Sequence, residues 1–288
     1  MKKLSTSLFF LFLVHIANAQ FNYQWHKKIG AYGSGTNELI HNVTTDSAGN
    51  VYICGRNGDS ITSEIPLGYS TTTSGAYNGF IAKFDPVGNL VWAKNMPING
   101  SGEVQITGLA VGNDGRVFFS GRQTAGNGDI DPGSGTVTVF GGWGILGCLD
   151  KNGNFLWGGS LQNIPYIPRV KLRANGDPVF ACSFFNNSGT IDLDYGAANV
   201  GLSVSNSGVR YGVILLNYSA AGAYQSYMWP TNAPPQLTPL IKGLPTNFAE
   251  DAIVSDFDID NVGNYYVSVN MPWYSGQVIQ GKDLILLR

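Results

Sequence analysis

Charge is scarce along this chain of 288 residues. Lys and Arg number 17 against 19 Asp and Glu, 12% of the chain in all, for a formal net charge of −2. So small and even a balance leaves no basic footprint for nucleic acid. Hydrophobic residues at 43% exclude a disordered polyelectrolyte. Cysteine is nearly missing too. Cys54, Cys148 and Cys182 are an odd, sparse set, each in or at the end of an apolar run; they read as small buried hydrophobes rather than a disulfide scaffold. Beyond residue 20 only His26 and His41 remain, so a Ser-His-Asp arrangement or a histidine-rich metal site is short of members. No helical period runs through the chain past its N-terminus. No later stretch could span a membrane as a helix, and the G-x-G strings lie between strand-like runs rather than before a helix.

The first residues have the layout of a secretory signal peptide. Lys2 and Lys3 form a basic region, residues 8–16 an apolar core, and Ala17-Asn18-Ala19 a small-x-small cleavage site. The apolar run is far shorter than the roughly 20 residues a spanning helix needs. This predicts a leader over 1–19 and a mature chain over 20–288 that starts at Gln20, with 15 basic and 19 acidic residues and a charge of −4.

Glycine is what the chain has in quantity, 38 of them, and they punctuate a repeat. Phe80-Ile81-Ala82-Lys83-Phe84-Asp85-Pro86-Val87-Gly88-Asn89-Leu90-Val91-Trp92 returns as Ile145 to Trp157, and more faintly from Ile214 to Ser226. A second marker, Asp46-Ser47-Ala48-Gly49-Asn50-Val51-Tyr52, returns around Gly115, Gly176 and Gly263. Short apolar and β-branched runs bounded by Gly, Asn and Asp are strand signals. Each unit therefore reads as four strands: A over 40–45, 106–111, 167–172 and 254–259; B over 51–55, 117–121, 178–182 and 265–269; C over 80–84, 145–149, 214–218 and 284–288; D over 90–94, 155–160 and 224–228. The fold class predicted is all-β: a β-propeller of about four four-stranded antiparallel blades. Residues 21–29, carrying Trp25, match strand D but precede the first unit, and the last unit lacks a D strand. The N-terminal strand is expected to complete the last blade and so to remove an unpaired edge; the alternative is an open fragment of a longer propeller.

The A–B and C–D turns are tight, whereas the B–C and D–A connections are long, and one of these holds Pro230, Pro234, Pro235, Pro239 and Pro245. In a four-strand meander the long connections emerge together, which marks that end as the binding face.

At these residues the chain resembles the bacterial β-propeller repeat family of secreted proteins, often described as seven-bladed. The family's D-x-x-G-N-V-Y-x-x-G hairpin stands at residues 46–55. Its D-F-D-P-G-like loop stands at Asp129-Ile130-Asp131-Pro132-Gly133, and its D-A-F-V-A-K-L-D-x-x-G strand and turn at residues 78–88. The resemblance covers essentially the whole mature chain and implies a propeller exported by a Gram-negative bacterium. Its members often carry a C-terminal sorting domain for type IX secretion; this chain has about four repeats and no such domain. The motifs specify a blade and imply no activity.

Candidate site residues follow from what the repeat does not absorb. Trp25, Trp92 and Trp157 share one strand-D position, with Ser226 as the fourth, and read as packing between sheets. Trp143, Trp273 and Tyr274, with Tyr69 and Tyr195, lie in long connections, where an aromatic serves either to recognise a glycan or protein or to anchor its loop into the blade; Trp143, Trp273 and Tyr274 are the candidate ligand-binding residues. Asp129 with Asp131, and Asp192 with Asp194, project to one side of an extended backbone. Two carboxylates can begin a calcium site, which wants six to eight oxygens, but Asp here also closes turns by local hydrogen bonding. No other metal and no cofactor is expected. Asp256 and Asp258 alternate on the last strand A, and the repeat places Arg169 and Lys171 at the same positions one unit earlier; they are expected to form a charge cluster around the axis. The function expected is a secreted, non-enzymatic binding or scaffold module for a protein or glycan. The alternatives are a glycan-active hydrolase using the channel carboxylates, or a purely structural surface protein.

Overall fold

Four of the tight turns are closed by the aspartate at their head. In the computed structural model, Asp46 Oδ1 accepts the N–H groups of Ala48 and Asn50 at 3.0 and 2.9 Å, and Oδ2 accepts the Asn50 amide at 2.7 Å and the Tyr52 hydroxyl at 3.0 Å. Asp260 repeats this set with Val262, Asn264 and Tyr266. Asp85 and Asp150 repeat it without the tyrosine. Partial burial pushes the Asp46 carboxyl upward, but hydrogen bonds from Asn50, Tyr52 and Ala48 outweigh it and hold it below the ordinary value. The spacing D-x-x-G-N is thus a hairpin written in side-chain chemistry.

The structure describes residues 24–27, 38–58, 76–185, 189–196, 199–204, 211–228, 253–270 and 282–287. The first sheet is a meander of β1 (Leu39–Thr45), β2 (Val51–Asn57), β3 (Asn78–Phe84) and β4 (Leu90–Met96). After β5 (Ile98–Asn99), the second contains β6 (Val104–Val111) and β7 (Val117–Gln123). Then, beyond β8 (Asn127–Asp129) and β9 (Thr138–Phe140), it is completed by β10 (Trp143–Leu149) and β11 (Phe155–Leu161). The third has β12 (Tyr166–Leu172) and β13 (Pro178–Phe185), an excursion through β14 (Gly189–Asp192) and β15 (Gly201–Val204), then β16 (Tyr211–Tyr218) and β17 (Tyr224–Met228). The fourth is β18 (Ile253–Ile259), β19 (Tyr265–Asn270) and β20 (Lys282–Leu287), three strands in the same order. All pairings within these sheets are antiparallel, as the repeat predicts. Two of the long B–C connections carry structure that the sequence reading treats as loop: β8 pairs with both β5 and β9, and β14 pairs with β15.

Irregularities repeat as faithfully as strands. In the first strand of three sheets one residue is extra to its partner strand: His41, Thr107 and Ser255. The third sheet slips at the same place, where Pro168 has no ladder donor to lose. A second slip recurs at Val91, Leu156 and Gln225, each one residue before the shared Trp/Ser position. A bulge reorients the residues beside it; here it turns Trp92 and Trp157 toward the following sheet.

That indole makes the inter-sheet contact. Trp25 Nε1 donates to Pro86 O at 3.1 Å, Trp92 Nε1 to Lys151 O at 3.1 Å, and Trp157 Nε1 to Ala220 O at 3.2 Å. Each acceptor is the second residue of the next C–D turn. The turn glycine lies under the ring: a Cβ on Gly88 would stand 2.7 Å from Trp25, and one on Gly222 2.6 Å from Trp157. Residues 24–27 are not a strand, which corrects the expected strand D over 21–29 in its described part. The Trp25 side chain nevertheless takes the strand-D place, because the turn at Gly88 offers the same seat. The remainder of 21–29 and Arg288 lie outside the described residues.

Apolar clusters fill the gaps between neighbours. Tyr52, Cys54 and Ile81 meet Ile106, Leu109 and Phe119; Phe118, Leu146 and Cys148 meet Phe180, Ile214 and Leu216; Val179, Ala181 and Leu215 meet Val254, Phe257 and Val267. The outer flank of the first sheet differs. Val43 is 62% exposed, whereas Leu109, Val170 and Phe257 at the aligned positions are 5%, 1% and 3% exposed. Among the described residues the four sheets form a row of neighbours, and no closed ring is present.

The seat of the indole is testable. Gly222 and Gly176 both have left-handed φ, 91° and 84°, but a Cβ on Gly176 meets nothing within 4 Å. Gly176→Ala is expected to cost only backbone strain, about 1 kcal/mol. Gly222→Ala should cost at least about 1 kcal/mol more, because Trp157 must move. Urea midpoints at unchanged m-value measure both; equal losses would show that the indole does not hold the sheets together.

Candidate functional site

The first strands of all four sheets converge on one cavity of about 580 Å³, lined by residues 40–44, 109–111 and 169–172 and by Asp256. The repeat puts Asn42, Gly108, Arg169 and Asp256 at one level, and Thr44, Ala110, Lys171 and Asp258 at the next. Arg169 Nε donates to Asp256 Oδ1 at 3.2 Å, and Lys171 Nζ stands 3.3 Å from Asp258 Oδ1. The charge cluster expected from the alignment is therefore present, as two rungs between adjacent sheets. Arg169 does more: its Nη1 donates to Thr107 O at 3.0 Å and Pro168 O at 2.9 Å, meeting carbonyls that the bulges free from the ladder. It reaches them because Gly108 lets the backbones close in; a Cβ there would be 2.9 Å from Arg169 Cα.

A polar cluster stands at the end of the strands where the long connections begin. Glu103 pairs with Arg56 through one oxygen and with Arg122 Nη2, at 3.2 Å, through the other. Arg122 Nε donates to Gln105 Oε1 at 3.1 Å. Arg56 lies 4.6 Å over the Tyr77 ring and Arg122 5.7 Å over Tyr166. Three successive sheets are thus joined at this rim. His41, the bulged residue of β1, lines the cavity beside them. Burial first, then Arg56 and Arg169, with a smaller push from Arg122, lower its pKa below the ordinary imidazole value; Glu103 opposes them. The sequence reading missed this rim. Its signal was the pair Gly55-Arg56 and Gly121-Arg122, a charge at one repeat position in a chain with few charges.

Of the expected ligand-binding aromatics, Trp143 opens β10 at this same end, partly buried, its ring 5.8 Å from that of Phe140 and edge-on to it; Phe140 is 48% exposed. Trp143 pairs with Gln123, next to Arg122. Trp273, Tyr274 and Tyr69 lie outside the described residues. Tyr195 is not a surface aromatic: it stacks on Trp157 at 5.8 Å and on Tyr218 at 5.7 Å, and its hydroxyl donates to Gly222 O at 2.9 Å. The D-x-D-x-G loop folds it inward. Asp192 Oδ1 accepts from Asp194 and Val200, and Asp129 Oδ1 in the same way from Asp131 and Val137, so these carboxylates close hairpins, the local role weighed against calcium. Among the described residues no group of three or more His, Cys, Asp and Glu is placed to hold a metal ion. The three cysteines are free and buried, and burial pushes the Cys148 thiol up to about 12. Among the described residues no helix is long and apolar enough to cross a membrane. No family model and no curated protein matches the chain.

Replacing Arg169 separates its two duties. Asp256 is 61% exposed, so Asp256→Asn should cost under about 1 kcal/mol. Arg169→Met also strands the carbonyls of Thr107 and Pro168 and should cost about 2 kcal/mol. Denaturation of the two variants side by side decides; equal costs would reduce Arg169 to a surface ion pair.

Proposed function

We propose that the chain is a secreted β-propeller of the bacterial repeat family it resembles, acting as a non-enzymatic binding or scaffold module for a glycan or protein. The leader pattern at residues 1–19 supports export. Four successive sheets of one strand order around a common cavity support the propeller, and the Trp25 seat on the first sheet supports closure by the N-terminal segment beside β20. In that closed form Val43 is covered by the last blade. Val43→Asp is then expected to cost at least about 2 kcal/mol on unfolding; a cost near zero would favour the open arc.

The observation that carries the binding reading is the Phe140–Trp143 pair at the end where the long connections emerge. An exposed aromatic with a partly buried one behind it is a preorganised stacking platform. The hydrolase alternative is less well supported, because Asp256 and Asp258 each commit an oxygen to a cation and to a backbone N–H. Glycan-array and pull-down measurements on protein recovered from the medium, beginning at Gln20, should find a ligand. Affinity should fall at least about tenfold in Phe140→Ala with Trp143→Ala. Undiminished binding in that variant would move the site elsewhere, and failure to bind anything would favour a purely structural surface protein.

A further inference from the structure

We propose that the outer face of the small sheet β5–β8–β9 is a saccharide-binding row, in which Asn99 and Asn127 read the hydroxyls of an uncharged glycan whose ring stacks on Phe140. This rests on the binding reading above and names its ligand class.

Register sets the row. Asn99 pairs with Asn127, and Asn127 with Phe140, so three side chains stand abreast on one face. Alternation turns that face outward: Ile98, Gly128 and Val139 in the neighbouring row are buried, whereas Asn99, Asn127 and Phe140 are exposed. Two strand spacings put the ends of the row about 10 Å apart, the length of a disaccharide. Gly100 follows Asn99, and Gly141 and Gly142 follow Phe140. A Cβ on Gly100 or Gly142 would meet nothing within 4 Å, so both ends of the row are open to an extended ligand.

The hairpin does not need these residues. In the third sheet's excursion Asp192 closes β14 and β15 as Asp129 closes β8 and β9. There Thr190 pairs with Ser203 where Asn127 pairs with Phe140. The amide and the aromatic ring are thus additions to a scaffold that forms without them.

Chemistry selects the ligand. A side-chain amide both donates and accepts hydrogen bonds, as a sugar hydroxyl does, and neither the Asn99 nor the Asn127 amide takes part in one among the described residues. The exposed Phe140 ring, edge-on to Trp143 at 5.8 Å, offers its face to the apolar side of a pyranose. The next row outward on this face is Asp129 with Thr138. The Asp129 charge opposes an anion, and neither row contains a cation to hold one. Strands of two and three residues also fall far short of the roughly 800 Å² that each side of a stable protein complex buries.

The test is calorimetric titration of the full mature chain with neutral hexasaccharides of glucose, mannose, galactose and xylose, and with hexasaccharides of glucuronic and galacturonic acid. A neutral member should bind, more tightly than its monosaccharide, with an affinity that added salt leaves unchanged. Asn99→Ala and Asn127→Ala should each weaken it roughly fivefold, the worth of one neutral hydrogen bond, at an unchanged urea midpoint. Asn113→Ala, on an exposed tight turn, should leave it alone. Neutral-glycan binding lost in Phe140→Ala but untouched in both asparagine variants would sink the row and leave the binding reading standing. A preference for the acidic series would overturn the ligand class, as would capture of a protein partner with no saccharide bound. No binding of any kind would sink both readings.

Discussion

An indole seated on the next sheet's turn is the contact on which the rest of the structure depends. A four-stranded meander in this chain has two apolar faces and cannot stand alone in water; stability comes from covering each face with a neighbour. The Trp92 and Trp157 contacts register that stacking. Each buries a large aromatic surface, satisfies the one polar atom of the ring on a turn carbonyl, and meets a residue that must be glycine. The D-strand bulge before each Trp aims the ring, and the aspartate at the head of the receiving turn, or Ser219 at Gly222, shapes the seat. Sequence spacing, local backbone and inter-sheet packing therefore form one mechanism.

The cavity follows from the same stacking, but its chemistry comes from the ways in which the copies differ. At one level the units contribute Asn42, Gly108, Arg169 and Asp256. The second sheet's small residue allows close approach, and the third and fourth sheets supply opposite charges that meet. Identical residues at these positions would leave like charges facing one another or none at all. The rim behaves in the same way. Arg56 and Arg122 are equivalent, yet one is held against Glu103 and Tyr77 while the other reaches Tyr166 and remains partly exposed.

Much of this was legible from the chain alone, for a physical reason. Turn chemistry, strand alternation and buried tryptophan are local or periodic properties, and a repeat states them several times over. The strands, the antiparallel order and the Arg169–Asp256 and Lys171–Asp258 rungs were readable because alignment of copies stands in for spatial neighbourhood. Tyr195 lies in a connection whose composition fits either an exposed aromatic or one anchored into the blade; the hairpin closed by Asp192 decides for anchoring, turning the ring onto Trp157 and Tyr218. The small sheets β5–β8–β9 and β14–β15 escaped notice because their strands are too short to show alternation.

The amino-acid sequence by itself determined the all-β class, the unit of four strands, the turns and the packing role of the tryptophans, since each depends on residues near one another or on a fixed period. Tertiary structure decided which side chains of different units meet: that Glu103 is shared by two arginines, that His41 keeps an unpartnered nitrogen, and that Trp25 acts as a strand-D indole without being in a strand. These are contacts between residues far apart in the chain. Their existence depends on the angle at which one sheet stacks on the next, and no local pattern encodes that angle.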